Sequence, residues 1–306
     1  IVFGDWSSDV CSSDLSADEI VASAVEAMAL GYGTVVMQSG EDYGVKADWL
    51  AEVIRRIKGL GDIAVTLSLG ERSMDEMALW RRAGADRYLL RFETSNRRLY
   101  ETIHPARNGE YSDRIALLRA LRALGYEIGS GVMIGIPGQS WADLANDIVT
   151  FGELDLDMIG VGPFIPHPAT PLARDFDAMR LPQGEQVPNN ELTTCKVVAL
   201  TRLACPDANI PSTTALATIN KTDGRELGLM RGANVVMPNV TPVKYRTLYE
   251  IYPAKACIDE TARQCNACIS NRIRSIGRHP GQGRGDSARY HLAVNTGGAS
   301  RKEGCP

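Results

Sequence analysis

The chain has 306 residues, of which 44% are hydrophobic and 23% charged, and its formal net charge is −4. This length is enough for about two typical domains or for one large α/β barrel with a buried core. The negative charge argues against nucleic acid as a partner, and no apolar run reaches the roughly 18 residues that a membrane span needs. The start of the sequence lacks the basic and apolar regions of a signal peptide, so we expect a cytoplasmic protein with thiol or metal-bound cysteines.

The first fifteen residues differ from the rest of the chain. In IVFGDWSSDVCSSDL the triplet SSD occurs twice, and neither a helical nor a strand period is present. We interpret residues 1–15 as a foreign segment that replaces a native start; a disordered natural tail is the alternative. A helix is predicted from Ser16 onwards, because Ser16 and Glu19 have the spacing of a capping box ahead of an apolar face.

Beyond this segment, short apolar runs rich in β-branched residues alternate with stretches of helical period. The seven runs are 34–40, 63–70, 87–93, 127–135, 158–166, 209–215 and 233–239. Near-continuous apolar strands separated by helices indicate a parallel sheet that is covered on both faces. The sequence therefore predicts an α/β fold, a (β/α)8 TIM-type barrel whose first strand is missing or replaced.

The barrel is expected to span residues 16–256. A cysteine-containing segment, residues 257–291, would close it, and residues 292–306 would form a disordered tail. Basic residues outnumber acidic ones from Arg272 to Lys302 and are interspersed with Gly and Pro. This composition is typical of a frayed, solvated tail.

Four of the apolar runs end in polar residues or glycine. These ends are Gln38–Glu41, Ser68–Glu71, Arg91–Thr94 and Thr213–Thr214. Each alone could be a helix cap or a turn, but the carboxyl ends of barrel strands face the active site, so we expect the four to converge at one mouth.

Charged residues on the third of these runs need partners. Arg91 and Glu93 alternate with apolar residues and should share one face of a strand. Inside a barrel they must pair or bind a ligand, and a buried ion pair is the structural alternative. Arg114, at the start of the next helix, offers a second guanidinium for a carboxylate.

Cysteines are concentrated near the end of the chain. Cys257, Cys265 and Cys268 form a CX7CX2C spacing within twelve residues. Three thiolates at these spacings predict a metal site, which could hold an iron–sulfur cluster or a zinc ion with one outside ligand. Cys195 and Cys205 are expected to be ordinary buried thiols.

Six segments together resemble the HydE family of radical S-adenosylmethionine (SAM) enzymes, maturases of the diiron site of [FeFe]-hydrogenase. The segments are SGED, VTLSLGE, AGADRYLLRFET, GIPGQS, GVGPFIPHPATPLA and NIPSTTALATI. The similarity covers roughly residues 16–291, and the wider relatives are biotin synthase and methylornithine synthase. The resemblance implies reductive SAM cleavage at a [4Fe–4S] cluster and adenosyl-radical chemistry on a small iron-bound precursor, in a closed barrel that excludes water. It also implies the companion maturases HydG and HydF as partners, no nucleic acid or membrane, and a monomer.

The resemblance assigns roles to matching positions. The residues expected to hold SAM are Gln38, Ser39, Glu41, Glu93, Arg114 and Met158. Within this set Glu41 would bind the amino group, Glu93 the ribose hydroxyls and Arg114 the methionine carboxylate. The residues expected to line the substrate are Thr66, Arg91, Thr213, Thr214, Tyr249 and Tyr252. Cys257, Cys265 and Cys268 match an accessory [2Fe–2S] or [4Fe–4S] site of some family members.

One family motif does not occur in this sequence. The CX3CX2C motif, whose three cysteines leave one iron of the catalytic cluster open, is absent from the 306 residues. We therefore expect the chain as given to be inactive in generating the adenosyl radical. Two alternatives remain open: an aminomutase of the methylornithine synthase type acting on lysine, and a degenerate barrel that binds SAM or an anion without catalysis.

Overall fold

The structure, a computed structural model, describes residues 15–107, 109–246 and 260–288. Within these ranges the helices are α1 (Ala17–Ala29), α2 (Ala47–Lys58), α3 (Met74–Ala83), α4 (Arg97–Ile103), α5 (Arg114–Ala123), α6 (Trp141–Glu153), α7 (Pro171–Arg174), α8 (Phe176–Met179), α9 (Glu191–Ala204), α10 (Thr214–Ile219), α11 (Gly224–Met230), α12 (Val243–Arg246) and α13 (Ala262–Ser275). No helix in the described ranges is long and apolar enough to cross a membrane.

A parallel sheet forms the centre of the fold. Its strands are β1 (Thr34–Gln38), β2 (Ala64–Ser68), β3 (Arg87–Leu89), β4 (Glu127–Ile134) and β5 (Met158–Pro163), hydrogen-bonded in the order β1-β2-β3-β4-β5. Two further predicted runs contribute isolated parallel bridges, Met158 with Asn209 and Pro211 with Val235. The described residues therefore form a curled half-barrel, which confirms the α/β class.

Helices cover the outer face of the sheet because their apolar residues recur at helical spacing. In α2, Leu50, Ile54 and Ile57 are fully buried, whereas Arg55 is exposed. Burying one such aliphatic side chain contributes about 1.5–3 kcal/mol. The same core includes alternate strand residues such as Val65, so the residues between them face the inside of the curled sheet.

The amino-terminal boundary of the described chain is well packed. The predicted helix after Ser16 is confirmed, because α1 begins there with a complete capping box between Ser16 and Glu19. Leu15, the last residue of the segment that the sequence suggested to be foreign, is 1% exposed and belongs to the core. Residues 1–14 and the predicted tail 292–306 lie outside the described ranges.

A short segment near the end of the described chain crosses the amino ends of the strands. Thr34, at the start of β1, donates from Oγ1 to the carbonyl oxygen of Arg284 at 2.5 Å, and Ser287 N donates to Glu127 Oε2 at 3.0 Å. We call residues 283–288 the floor segment. The prediction of a frayed tail is wrong here: Arg272 pairs with Glu226 and Arg284 with carboxylates under the sheet, so the basic residues are held by acidic partners distant in sequence.

Candidate functional site

Arg114 is the central residue of a partly buried cluster at the carboxyl ends of the strands. It is the first residue of α5, and its side chain is 8% exposed. The guanidinium donates from Nε to Glu71 Oε1 at 2.6 Å, from Nη2 to Glu41 Oε1 at 2.5 Å and from Nη1 to the carbonyl oxygen of Arg91 at 2.8 Å. Arg114 thereby connects the segments that follow β1, β2 and β3. We call Glu41, Glu71, His104 and Arg114 the mouth cluster.

Glu71 fixes the orientation of Arg114. Its Oε1 also accepts a hydrogen bond from Ser112 Oγ at 2.7 Å, and Tyr100 OH lies 2.8 Å from the same hydroxyl. Burial raises the pKa of Glu71, but the hydrogen bonds from Ser112 and Arg114 outweigh burial and leave the pKa lowered. Glu71 is therefore an anion that holds the guanidinium rather than a proton donor.

His104 supports Arg114 from another side. Its Nε2 lies 2.5 Å from Arg114 Nη2, its Nδ1 lies 3.2 Å from the carbonyl oxygen of Pro105, and its ring stacks on Tyr100 with centroids 4.9 Å apart. Burial and the Arg114 charge lower the pKa of His104. A neutral imidazole that donates from Nδ1 and accepts at Nε2 satisfies both contacts.

The mouth cluster also offers three potential metal ligands. One atom each of Glu41, Glu71 and His104 lies within 4.8 Å of the other two. The guanidinium of Arg114 contacts all three side chains and supplies the positive charge between them. The cluster therefore fits an organic ligand that carries both a positive and a negative group better than it fits a metal ion.

Two glycines allow the Glu41 carboxylate to lie against the backbone. Gly40 and Gly70 both have a positive φ, 63° and 68°. A Cβ atom added at Gly70 would be 2.3 Å from Glu41 Oε2, and the adjacent Glu71 N–H donates to that same oxygen at 2.9 Å. Any larger residue at position 70 would displace the carboxylate.

Arg91 and Glu93 form an ion pair, the structural alternative that the sequence left open, but the pair is only partly buried and it is incomplete. Arg91 Nε and Glu93 Oε1 are 3.1 Å apart, yet Arg91 Nε, Arg91 Nη2 and Glu93 Oε2 are buried without a hydrogen-bond partner in the described structure. Glu93 also has a φ of 63°, a left-handed conformation that costs a non-glycine residue about 1–3 kcal/mol. Unmatched polar atoms and backbone strain together indicate a place for a polar ligand.

The remaining residues expected to hold SAM lie at opposite ends of the strands: Gln38 and Ser39 at a carboxyl end and Met158 at an amino end. Gln38 ends β1, and Ser39, which is buried, follows it and donates from its N–H to the carbonyl oxygen of Ser68 at 3.2 Å. Met158 is the first residue of β5, beside Gly129, at the opposite end of that strand from its carboxyl terminus. The structure brings Gln38 and Ser39 next to the mouth cluster and does not bring Met158 there.

The substrate candidates lie partly inside the curled sheet. Thr66 is buried in the middle of β2. Thr213 is the N-cap of α10, where its Oγ1 accepts from Leu216 N at 3.3 Å, and Thr214 is the first residue of that helix. Tyr249, Tyr252 and Cys257 lie outside the described residues.

The structure tests the prediction of buried thiols but not the prediction of a metal site at the cysteines of the CX7CX2C motif. Cys195 and Cys205 are buried free thiols, as expected. Cys265 and Cys268 are three residues apart on α13, where Cys265 is buried and Cys268 exposed. The two thiols therefore share one helix face, which leaves the accessory metal site a prediction.

Sequence analysis placed Glu71 among the strand ends that converge at one mouth but gave it no binding role, and it did not identify His104. A signal for Glu71 existed, because Gly70-Glu71 follows β2 as Gly40-Glu41 follows β1. His104 had no comparable signal, since its position depends on stacking against Tyr100 rather than on a motif.

Comparisons with known proteins agree with the geometry. The family model of the Radical SAM superfamily matches residues 7–149. The [FeFe] hydrogenase maturase subunit HydE of Thermotoga maritima is 44% identical over 280 residues, which are 92% of this chain and 76% of the maturase. The 3-methylornithine synthase of Methanosarcina acetivorans is 27% identical over 226 residues, 72% of this chain and 59% of the synthase.

Solved structures show the same fold. A crystal structure of methylornithine synthase has a TM-score of 0.69 at 22% identity and covers 91% of this chain and 76% of that chain. A crystal structure of the [FeFe]-hydrogenase maturase HydG has a TM-score of 0.59 at 18% identity and covers 85% and 62%. The chain belongs to the HydE family of the radical SAM superfamily and is related to the methylornithine and biotin synthases.

Proposed function

We propose that the protein acts as a HydE-like maturase that binds SAM at the mouth cluster. The family's function in this proposal is assembly of the [FeFe]-hydrogenase diiron site, by reductive SAM cleavage and adenosyl-radical chemistry on a small iron-bound precursor, in a HydE protein that carries the CX3CX2C motif. Membership of the HydE family supports the activity. The observation that carries the site is the meeting of Glu41, Arg114 and the incomplete Arg91–Glu93 pair at one end of the sheet.

The charges of the mouth cluster fit the amino-acid end of SAM. Arg114 Nη2 and Glu41 Oε1 are 2.5 Å apart, so the two side chains form an ion pair of opposite charges. A zwitterion could enter between them, with its carboxylate on Arg114 and its ammonium group on Glu41, so that each charge exchanges one partner for another. Because Glu71 and His104 hold the guanidinium from other sides, Arg114 remains oriented during this exchange.

The unmatched atoms fit the nucleoside end. Glu93 Oε2 is buried without a partner and can accept hydrogen bonds from two ribose hydroxyls. Arg91 Nη2, on the same face of the chain, can donate to an acidic or carbonyl-bearing substrate. In this family, bound SAM is the source of the radical chemistry. In this proposal, Arg91 and Glu93 orient the ligand, and the curled sheet shields it from water.

Closure of the barrel is part of this proposal. The bridges at Asn209 and Val235 continue the parallel order beyond β5, and we propose that the fold is an eight-stranded barrel. The substrate would then lie below SAM, near Thr66, Arg91, Thr213 and Thr214. HydG and HydF would supply the precursor and receive the product.

The cysteines of this chain differ from those that the family's catalytic cluster requires. The family implies a [4Fe–4S] cluster, but the 306 residues contain no CX3CX2C motif to hold it. We propose that the chain as given binds SAM without cleaving it. Cys257, Cys265 and Cys268 remain our candidates for an accessory [2Fe–2S] or [4Fe–4S] site.

Calorimetric titration with S-adenosylhomocysteine, a stable analogue with the same amino-acid and nucleoside ends, tests the binding proposal. We expect binding by the chain and a loss of about 100-fold or more in Arg114→Ala, which removes the carboxylate partner. Arg119→Ala, an exposed arginine on the same helix, is the matched control and should bind like the parent. Equal affinity of both variants would refute the site.

Catalytic competence is tested separately. After anaerobic treatment with iron, sulfide, dithionite and SAM, we expect no 5′-deoxyadenosine from the chain as given. Appearance of that product would contradict the proposed inactivity but leave the binding site standing.

A further inference from the structure

A tight turn follows the strained residue Glu93. Thr94 N donates to the carbonyl oxygen of Phe92 at 2.8 Å, and both Ser95 N and Ser95 Oγ donate to Asp147 Oδ1 at 2.6 Å. The left-handed φ of Glu93 is thus followed within two residues by two short hydrogen bonds to one carboxylate oxygen. These bonds anchor the turn at the position where Glu93 reaches the interior.

Asp147 is an unusual anchor because it is a fully buried carboxylate whose described hydrogen-bond donors are all uncharged. It lies in the middle of α6 and is 0% exposed. In the described part of the chain no cation pairs with it, and its other contact is Gln139 Nε2, 3.4 Å from Oδ2. Asp143, one turn earlier on α6, is the charged group that acts on it, and it is another anion.

The usual structural roles of an acidic residue in a helix are carried by another residue. Asp143 completes the capping box of α6 with Ser140 and accepts a hydrogen bond from Asn96 Nδ2 at 2.8 Å. Asp147 contributes to neither feature. Its described hydrogen bonds go to the turn after β3 and to Gln139, which in turn accepts from Gly135 N at 2.7 Å.

We infer that Asp147 is a positioning residue that holds the Glu93–Ser95 turn while it is ionised and releases that turn when it is protonated. The part of this inference that concerns nucleoside affinity rests on the proposed role of Glu93. An ionised acceptor makes hydrogen bonds about twice as strong as a neutral one. A proton on Oδ2 would also face the N–H of Gln139, which can only donate, so the second contact would be lost.

The direction of the pH dependence follows from the environment of Asp147. Burial raises its pKa to about 6, against the lowering effect of the Ser95 hydrogen bonds and with a further raising effect of Asp143. The carboxylate is ionised well above that pH and protonated well below it. Release of the turn removes the Ser95 hydrogen bonds, which lower the pKa of Asp147, and leaves the carboxylate buried in α6, so its pKa is higher in the released state than in the held state. The released state therefore binds the proton more tightly, and the turn should be held firmly in mildly alkaline solution and loosened in mildly acidic solution.

Amide hydrogen exchange of the chain tests the anchor directly. After correction for the intrinsic pH dependence of exchange, protection of Ser95 N–H should fall by about fivefold or more from about pH 7.5 to pH 5.5. Asp147→Asn keeps an oxygen acceptor and cannot titrate, so its protection should not change over this range. Asp147→Ala should lack protection at both pH values, and Asp143→Asn, the matched control one turn away, should retain the fall.

A milder variant covers the case in which Asp147→Ala does not fold. Ser95→Ala removes the hydroxyl and keeps the backbone donor, so it should lose part of the protection and keep the pH dependence. Equal pH dependence in the parent and Asp147→Asn, or full protection in Asp147→Ala, would overturn the inference.

Titration with S-adenosylhomocysteine links the anchor to ligand affinity. The parent should bind about five- to tenfold more weakly at pH 5.5 than at pH 7.5, and Asp147→Asn should show the same affinity at both. If the parent bound no ligand at either pH, the proposed function would fail while hydrogen exchange would still decide the anchor. If exchange behaved as expected but affinity did not follow it, the link between Asp147 and the ligand would be wrong.

Discussion

The two ends of the curled sheet both bury arginines against carboxylates, yet they satisfy their charges differently. At the amino end, Arg87 donates from Nε to Glu127 at 3.1 Å, from Nη1 to Thr34 at 2.9 Å and from Nη2 to Asp286. Among the described residues, no side-chain polar atom of Arg87, Glu127 or Asp286 is buried without a partner. At the carboxyl end, Arg91 and Glu93 keep three such atoms.

This difference separates a structural charge cluster from a binding one. A cluster that closes a fold is most stable when every donor and acceptor is matched, because an unmatched buried charge costs several kcal/mol. A cluster that binds a ligand must keep atoms for that ligand and therefore remains incomplete without it. Net charge does not distinguish Arg87 from Arg91. Their exposure does, at 8% for the Arg87 side chain and 38% for that of Arg91, and so does the state of their hydrogen bonds.

The largest effect is expected from Arg87→Ala at the amino end. Removal of this guanidinium leaves Glu127 buried without a cation and Asp286 with Arg284 as its remaining cation, at 3.3 Å, which should lower the free energy of unfolding by about 3–5 kcal/mol. Affinity for S-adenosylhomocysteine should stay within about threefold of the parent, because the mouth cluster is at the other end of the strands. Denaturant unfolding and calorimetric titration measure the two quantities, and a large loss of affinity with unchanged stability would reverse the comparison.

A second variant displaces the floor segment without removing any charge. A Cβ atom at Gly33 would lie 2.0 Å from the carbonyl oxygen of Gly283, so Gly33→Ala should push the segment away from β1. We expect a loss of about 1–3 kcal/mol, as for other overpacked sites. Gly152→Ala, in α6 with open space around its Cβ position, is the matched control and should be neutral or slightly stabilising. Equal unfolding free energies for the two variants would show that the floor segment does not contribute to stability.

The next variant tests the Arg91–Glu93 pair at the carboxyl end of the sheet. Arg91→Met removes a guanidinium with two unmatched nitrogens and keeps a long apolar side chain. Stability should change by less than about 1 kcal/mol or increase, because the lost charge was poorly paired. Affinity for S-adenosylhomocysteine should fall about tenfold, a change of about 1.4 kcal/mol, because Arg91 Nε holds Glu93, the proposed acceptor for the ribose hydroxyls, at 3.1 Å. A variant that lost several kcal/mol of stability and kept its affinity would identify Arg91 as structural.

The sequence made the carboxyl end predictable but not the amino end. Glu41, Glu71 and Glu93 each follow an apolar run, and the parallel order of strands brings such positions together. The amino end depends on contacts such as Thr34 with Arg284, which are 250 residues apart and follow no local pattern. The charges that make Arg284 resemble a solvated tail are those that fix it under the sheet.

Backbone conformation set a second limit on prediction. The third apolar run, 87–93, was predicted as one strand, but β3 ends at Leu89 and Glu93 forms only an isolated bridge with Val132. Glutamate rarely takes a positive φ, so its residue type gives no sign of the turn. The anchor at Asp147 lies more than fifty residues further along the chain, in the middle of an ordinary amphipathic helix.

The smallest expected effect concerns the support that His104 gives to Arg114. His104→Phe keeps the ring stack on Tyr100 and removes the acceptor, which should cost about 0.5–1.5 kcal/mol near pH 7.5. Because the folded pKa of His104 is lowered below 6.5, the unfolded chain takes up a proton first as the pH falls through 6.5. The parent therefore loses stability below that pH, and the variant does not lose this contribution, so the gap between their unfolding free energies should narrow. Titration of Asp147 affects both proteins equally and cancels in the difference. A gap that stayed constant from about pH 8 to pH 5 would show that His104 is not the neutral acceptor of Arg114.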